Sequence, residues 1–221
     1  MSARDELYVH LRDRILDRRR SGAPVVVGIT GIDTSGKTEF TKGFADRLEA
    51  DGLEVQVVHL DDFHRPRHLR YLGPDEAENY FLRSFDLDTL VEQVLRPIQQ
   101  VGALDAELTL LDLDRDTYSH AVHVRVGPET VVLLEGVFLL RPELRPFLDF
   151  SVYLDIPEEE VLARAALRDV PRYGEAVLAK YDTKYLPAQR RYIEAVRPHA
   201  LADVLIDNRD VARPTLAPVP R

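Results

Sequence analysis

Short apolar runs alternate along the chain with amphipathic stretches, and this alternation determines the predicted fold. Five runs rich in β-branched or aliphatic residues are typical of strands buried on both faces of a parallel sheet. Strands that alternate with helices predict an α/β domain, in which helices cover both faces of a parallel sheet of about five strands. The runs are 25–30, 54–60, 130–134, 150–154 and 204–206.

Helical spacing of apolar residues is clearest in three segments. Leu7, Leu11 and Ile15 lie on one face of a helix predicted within residues 1–22, which ends at a Gly-Ala-Pro stop signal. A second helix is predicted over 37–50, closed by an Asp-Gly pair, and a third over 158–168. The predicted order of strand, turn, helix and strand over 25–60 is that of a βαβ unit.

Strict alternation of apolar and polar residues marks a different element between the third and fourth parallel strands. Val122, Val124 and Val126 alternate with His123 and Arg125, which is the pattern of a half-exposed strand. Together with the apolar segment 108–113, it predicts a small β-hairpin insert over 104–127, with its turn near 117–120. At the other end of the chain, proline recurs in 213–221, and we expect a loose tail there.

Composition and charge restrict the kinds of molecule that this protein is expected to bind. The chain of 221 residues suits a single domain over 1–221, and its formal net charge of −9 argues against nucleic-acid binding. No apolar run approaches the roughly 18 residues that a membrane span needs, so we expect no membrane partner. The absence of cysteine excludes disulfides and thiolate metal sites, and it fits a cytoplasmic location.

The sequence Gly-Ile-Asp-Thr-Ser-Gly-Lys-Thr over residues 31–38 matches the phosphate-binding pattern G-x-x-x-x-G-K-[ST] between a predicted strand and a predicted helix. Glycines let main-chain N–H groups turn toward an anion, and the helix N-terminus adds its positive dipole. The alternative is a chance match in a glycine-containing turn. The residues expected to hold a nucleotide are Gly31, Asp33, Thr34, Ser35, Gly36, Lys37 and Thr38, with Lys37 on the β- and γ-phosphates and the Thr38 hydroxyl on Mg²⁺.

Carboxylates follow two of the predicted strands. Asp61 and Asp62 come after the second strand, and Glu135 ends the apolar run 131–134. Ligands of open α/β sheets bind beyond the carboxyl ends of the strands, so these groups are placed to act as a base and as metal ligands. Each assignment has a purely structural alternative. Asp61 and Asp62 could form a turn in a polar loop, and Glu135 could form an ion pair with an arginine.

At these residues the chain resembles the uridine kinase family of P-loop kinases, and more loosely the nicotinamide riboside kinases and phosphoribulokinases. The resemblance spans about 25–207 and implies a three-layer P-loop NTPase fold, with a helical lid and the helix that follows it over 164–197. The matching pieces, in the family's order, are 31–38, 61–63, 85–86, 135–138, 164–169 and 202–206.

The resemblance implies an ATP-dependent kinase that phosphorylates a hydroxyl of a nucleoside-like small molecule with Mg²⁺. Asp61 would be the general base, and Thr38 and Glu135, with Asp61 nearby, would hold the metal ion. Members are often oligomers, although the chain shows no interface signal of its own. The remaining implied residues are Arg164 and Arg168 on the phosphates, Asp86 on the ribose hydroxyls, and Phe63, His64 and Asp112 around the acceptor.

Two positions depart from the family pattern. Ala165 follows Arg164 where the family has a second lid arginine, and Leu111 stands where uridine kinases have a tyrosine that helps to hold the base. The sequence therefore does not identify the acceptor, and it does not distinguish ATP from GTP. Two further hypotheses stay open, a regulatory P-loop NTPase and a nucleotide-binding pseudokinase. The segment 207–210 is not the guanine signature of a GTPase switch.

Overall fold

The computed structural model describes residues 2–218, which form eight strands and a set of helices. The strands are β1 (Val25–Gly31), β2 (Val55–His59), β3 (Leu104–Asp112), β4 (Thr117–Val126), β5 (Val131–Glu135), β6 (Phe150–Asp155), β7 (Val204–Asp207) and β8 (Thr215–Ala217). The helices are α1 (Ala3–Arg18), α2 (Lys37–Ala50), α3 (Arg67–Arg70), α4 (Glu76–Glu78), α5 (Leu87–Leu90), α6 (Arg96–Val101), α7 (Glu158–Arg168), α8 (Val170–Tyr173), α9 (Ala176–Lys180), α10 (Leu186–Val196) and α11 (Pro198–Leu201).

Turns of other helical types complete this set. The π-helical turns Asn79–Arg83, Val91–Leu95 and Tyr181–Tyr185 continue α4, join α5 to α6, and join α9 to α10. The 3₁₀ turns are Leu60–Phe63 and Arg145–Phe147. The predicted helices 37–50 and 158–168 are confirmed with the same bounds.

The central sheet has the strand order β2-β5-β1-β6-β7-β8. All neighbouring pairs are parallel except β7 and β8, so the predicted α/β fold with about five parallel strands is confirmed and a sixth, antiparallel strand is added. β1 lies inside the sheet, where Val27 pairs with Leu133 of β5 on one side and Phe150 of β6 on the other. Every residue of β1 is buried, as a strand covered on both faces requires.

Two hydrophobic cores lie on the two faces of the sheet. On one face, Leu11 of α1 and Phe44 of α2 pack against the side chains of β1, β5 and β6. On the other face, Leu90, Val94 and Tyr192 pack with the hairpin against the opposite side of the same strands. The result is the three-layer arrangement expected from the alternating pattern. Within residues 2–218, no helix is long and apolar enough to cross a membrane.

The β-hairpin insert is present, but its turn was predicted at the wrong place. β3 and β4 pair from Leu104 with Val126 to Asp112 with Thr117, so 117–120 belong to β4 and the turn is at 113–116. The Asp112 carboxylate accepts hydrogen bonds from the N–H groups of Asp114 and Arg115, which is the chemistry of an Asx turn.

The prediction of a loose tail over 213–221 is wrong for Thr215–Ala217. These residues form β8, in which Leu216 pairs with Ile206 at the edge of the sheet. Pro214 and Pro218 flank this short strand, and an edge strand tolerates proline at its ends. Residues 219–221 lie outside the described part of the chain.

The loop between β1 and α2 is held by an amide that follows β7, two strands away from β1 in the sheet. Asn208, which follows β7, donates a hydrogen bond from its Nδ2 to the Ser35 carbonyl at 2.6 Å. Gly36 lies beside it with φ +87°, and a Cβ atom there would come within 2.8 Å of that Nδ2. A side chain at residue 36 would therefore push the amide away from the loop.

We predict that Gly36→Ala destabilises the protein more than Gly52→Ala. Gly52 has a similar φ of +84° but no atom within 4 Å of a built Cβ, so it isolates the cost of left-handed backbone, about 1–2 kcal/mol. Gly36→Ala adds the loss of the buried Asn208 hydrogen bond, about 1–3 kcal/mol more. Urea unfolding measures both values. Equal losses of unfolding free energy would contradict the role given to Asn208.

Candidate active site

The predicted nucleotide-binding residues surround one cavity at the carboxyl ends of the parallel strands. Its volume is about 440 Å³. The cavity extends from the phosphate loop, across the end of β5, to the 3₁₀ turn that follows β2 and to the last turns of α7. Among the predicted site residues, its lining includes Asp33, Thr34, Gly36, Lys37, Thr38, Asp61, Glu135, Arg164 and Arg168. Gly31 and Ser35 lie behind this surface, in the backbone of the loop.

Lys37 holds the phosphate loop in its curved shape. Its Nζ donates hydrogen bonds to the carbonyls of Gly31 at 3.2 Å and Ile32 at 2.9 Å. The residue is only 9% exposed, and it lines the cavity. An ammonium has three hydrogens, so two of them fix the loop and the third remains for an anion in the cavity.

Thr38 and Glu135, the two residues predicted to hold a metal ion with Asp61 nearby, approach each other in the cavity. The Thr38 Oγ1 lies 3.5 Å from Oε2 of Glu135. Glu135 is 5% exposed at the end of β5, and the same Oε2 lies 2.8 Å from Nδ1 of His59. This hydrogen bond is the main cause that raises the pKa of His59 above its usual value. The buried carboxylate is thus balanced by an imidazole on the neighbouring strand.

Asp61 lies in the 3₁₀ turn after β2 and faces the same cavity. The residue is exposed to solvent, although neighbouring protein atoms reduce the hydration of its carboxylate. This desolvation raises the pKa of Asp61, and the Glu135 charge adds to it, whereas His64 and Lys37 act in the opposite direction. A carboxylate in such a place is more basic than one in water, which suits a proton acceptor.

Asp33 connects the phosphate loop to two helical segments. Its Oδ1 accepts a hydrogen bond from the Tyr80 hydroxyl at 3.0 Å, and its Oδ2 accepts one from Nε2 of Gln189 at 2.9 Å. Tyr80 is buried and also lines the cavity. The loop is therefore tied both to the turn Asn79–Arg83 and to α10 of the predicted lid region.

The two predicted lid arginines line the cavity, but protein groups accept their hydrogen bonds. Arg164 donates to the carbonyls of Thr34, Asn208 and Arg209, at distances from 2.8 to 3.3 Å. Arg168 makes a two-pronged ion pair with Asp169, whose carboxylate also accepts from the Tyr181 hydroxyl. Their contacts with phosphates stay a prediction.

A second, smaller cavity of about 210 Å³ lies next to Asp62. Phe63, His64 and Asp86 line it, together with Leu111 and Tyr118 from the hairpin. Asp86 also caps α5, since its carboxylate accepts hydrogen bonds from the N–H and hydroxyl of the residue at 89. Asp112 lines neither cavity, because its carboxylate caps the hairpin turn.

Three residues at the site were not predicted from the sequence. Tyr80 and Gln189 reach Asp33 from 47 and 156 residues away, and no local pattern links them to the loop. Asn208 was detectable, because it follows a parallel strand, and the same rule had selected Asp61 and Glu135.

Curated proteins similar to this chain include uridine kinases. A uridine kinase of Limosilactobacillus reuteri is 28% identical over 188 residues, which cover 83% of this chain and 83% of the relative. A uridine kinase of Anoxybacillus flavithermus is 29% identical over 197 residues, covering 83% of this chain and 85% of the relative.

Solved structures show the same architecture. That of "a Possible Uridine Kinase from Bacillus stearothermophilus" superposes with a TM-score of 0.67 at 30% identity, covering 89% of this chain and 98% of that one. A D-glycerate 3-kinase from Cryptococcus neoformans shares the fold with a TM-score of 0.60 at 18% identity, covering 88% of this chain and 87% of its own.

The family model described as the phosphoribulokinase / uridine kinase family matches residues 26–211, a range that contains the phosphate loop, both cavities and the predicted lid region. The chain therefore belongs to the phosphoribulokinase / uridine kinase family.

Proposed function

We propose that this protein is a kinase that transfers the terminal phosphoryl group of ATP to a hydroxyl of a nucleoside-like small molecule. The observation that carries the proposal is the meeting of Lys37, Thr38, Asp61 and Glu135 in one cavity. Phosphoryl transfer depends on positioning and on neutralising charge, and these four side chains supply the cation, hydroxyl and carboxylates that it needs.

The donor set fits a magnesium ion. Thr38 Oγ1 and Glu135 Oε2 are hard oxygen ligands only 3.5 Å apart, and Asp61 adds a further carboxylate to the same cavity. Within residues 2–218, no group of three or more His, Cys, Asp or Glu side chains is placed to hold a metal ion. Mg²⁺ commonly takes one or two protein ligands and fills its shell with phosphate oxygens and water. When bound, it would neutralise charge on the phosphates.

The protein groups would then divide the work. Lys37 attracts the outer phosphates, and the main-chain N–H groups of the loop orient them. Asp61 accepts the proton of the acceptor hydroxyl as that oxygen attacks, and the desolvated cleft keeps its carboxylate basic. Closure of the segment 164–197 over the cavity would exclude water, which otherwise competes with the substrate hydroxyl as the phosphoryl acceptor.

The acceptor would lie in the second cavity. Asp62 lines it immediately beside Asp61, and the carboxylate of Asp86 offers hydrogen-bond acceptors for ribose hydroxyls. Leu111 lines this cavity where uridine kinases have a tyrosine, and Tyr118 lines it from the opposite strand of the hairpin. Two curated relatives are uridine kinases. Because Leu111 replaces the tyrosine that helps uridine kinases to hold the base, the base of the preferred nucleoside has to be identified by screening.

We predict that Asp61→Asn abolishes acceptor-dependent ADP release while ATP still binds. Loss of a general base costs about a hundredfold or more in turnover, whereas the phosphate loop is untouched. The assay is an ADP-release screen over nucleosides, ribosylated vitamins and sugar alcohols, with Lys37→Ala as the variant that should lose ATP binding.

The exposed Asp17, replaced by Asn, is the matched control and should retain full activity. Slow ADP release that no acceptor stimulates, and that Asp61→Asn leaves intact, would point instead to a regulatory NTPase. ATP binding with no ADP release from any acceptor would point to a pseudokinase.

We also predict that Glu135→Gln raises the Mg²⁺ concentration needed for half-maximal activity by about tenfold or more, because it removes a charged ligand. Calorimetric titration of ATP without metal should change far less. Glu49→Gln, an exposed position at the end of α2, is the control. An unchanged Mg²⁺ requirement in Glu135→Gln would contradict the assignment of this carboxylate to the metal.

A further inference from the structure

The second cavity is enclosed by walls from three separate segments of the chain. The turn after β2 supplies Phe63 and His64, the residue before α5 supplies the carboxylate of Asp86, and the hairpin supplies Leu111 and Tyr118. Because these segments are far apart in the sequence, the width of the cavity depends on the contacts that hold the walls together.

The first two walls are joined through the main chain. His64 and Phe85 form an antiparallel β-bridge, and the N–H of Asp86 donates to the Phe63 carbonyl at 2.7 Å. Such bonds do not depend on the identity of the side chains. The junction between these two walls is therefore set by the backbone, and the hairpin is the wall that needs a further attachment.

A β-bulge shapes the hairpin wall. Successive residues of a regular strand point to opposite faces, yet Leu110 and Leu111 are both buried and both line the second cavity. The register shifts between them, because Leu110 pairs with His120 and Leu111 with Tyr118. A bulge bends a strand and redirects its side chains, which explains why both leucines reach the same cavity.

Asp116 connects the end of the hairpin to α3. Its Oδ1 accepts a hydrogen bond from the main-chain N–H of Arg67 at 2.8 Å and lies 3.5 Å from Nη2 of Arg70. The Arg70 side chain is only 9% exposed, and its Nε donates to the Arg65 carbonyl at 2.6 Å. One carboxylate thus joins the hairpin turn to the segment 64–70, at a partly buried ion pair.

This contact lies just outside the cavity, between two of its walls. Asp116 is two residues from Tyr118, and Arg67 is three residues from His64. The backbone of Asp116 has φ +55°, a left-handed conformation that Gly, Asn and Asp accept most readily. The turn alone would be satisfied by any of these three residues, so the carboxylate serves the contact with α3.

We propose that Asp116 is a positioning residue that sets the width of the second cavity by holding the end of the hairpin against α3. The assignment rests on the proposed function, which places the acceptor in this cavity, and Asp116 itself does not touch the acceptor. Preformed walls lower the cost of ordering the site when a ligand binds. His120, further from the turn, lies 3.4 Å from Asp62, so loss of the Asp116 contact would free only the end of the hairpin.

The test is the variant Asp116→Gly, which removes the carboxylate and keeps a residue suited to φ +55°. We expect the KM for the acceptor to rise about tenfold, while kcat and the affinity for an ATP analogue change by less than about twofold, because looser walls weaken acceptor binding before and during the reaction alike. Asp116→Asn still accepts from the Arg67 N–H and should recover most of the loss. KM and kcat are measured for every acceptor in the ADP-release screen that the wild-type protein phosphorylates.

Asp114→Gly is the matched control. Asp114 is an exposed residue of the same turn, so this variant loses the same charge and gains the same backbone freedom without breaking the contact with α3. Its acceptor KM should stay within about twofold of the wild-type value. Amide hydrogen exchange over 113–118 should be faster in Asp116→Gly than in Asp114→Gly, because only the first releases the hairpin end.

Three results would overturn the assignment while the proposed function stands. They are an acceptor KM in Asp116→Gly within about twofold of wild type, an equal loss of acceptor and nucleotide affinity, and equal hydrogen exchange in the two glycine variants. If no acceptor in the screen stimulates ADP release from the wild-type protein, the proposed function fails and the assignment fails with it.

Discussion

The candidate site depends on the parallel pairing of three neighbouring strands. β5 lies between β1 and β2, and its last residue, Glu135, pairs with Ile29 on one side and with His59 on the other. Because parallel strands end at the same edge, this register places a carboxylate between the start of the phosphate loop and the turn that holds Asp61. A shift by one residue would turn Glu135 to the other face and separate it from Thr38.

Charge balance is the second constraint on the cleft. Asp33, Asp61 and Glu135 line one cavity. Under the proposed function a triphosphate would enter it, so the site would need cations that arrive with the ligand or lie in the protein. Lys37 stands at the base of the cavity, and His59 offsets Glu135. Mg²⁺ would offset the carboxylates on the metal side. Each cation thus has a different carboxylate or phosphate to neutralise.

The sequence predicted most of the fold because the fold depends on local patterns. The apolar runs located the parallel strands, and the phosphate-loop motif, with the rule for strand ends, located Lys37, Asp61 and Glu135. Features that depend on distant contacts were missed. Tyr80 and Gln189 meet at Asp33, and the Lys184 ammonium lies over the rings of Tyr71 and Tyr185. The sequence did not predict β8, because its short proline-flanked segment shows no alternation of apolar and polar residues. It misplaced the hairpin turn, because the role of Asp112 in an Asx turn depends on the local backbone shape.

A crystal structure with an ATP analogue and Mg²⁺ tests the central claim most directly. The account predicts the triphosphate curled within 31–38, with Lys37 on its outer phosphates and a metal ion between Thr38 and Glu135. Asp61 should then face the terminal phosphate across the cavity. A nucleotide bound elsewhere, or Asp61 and Glu135 pointing away from an empty loop, would contradict it.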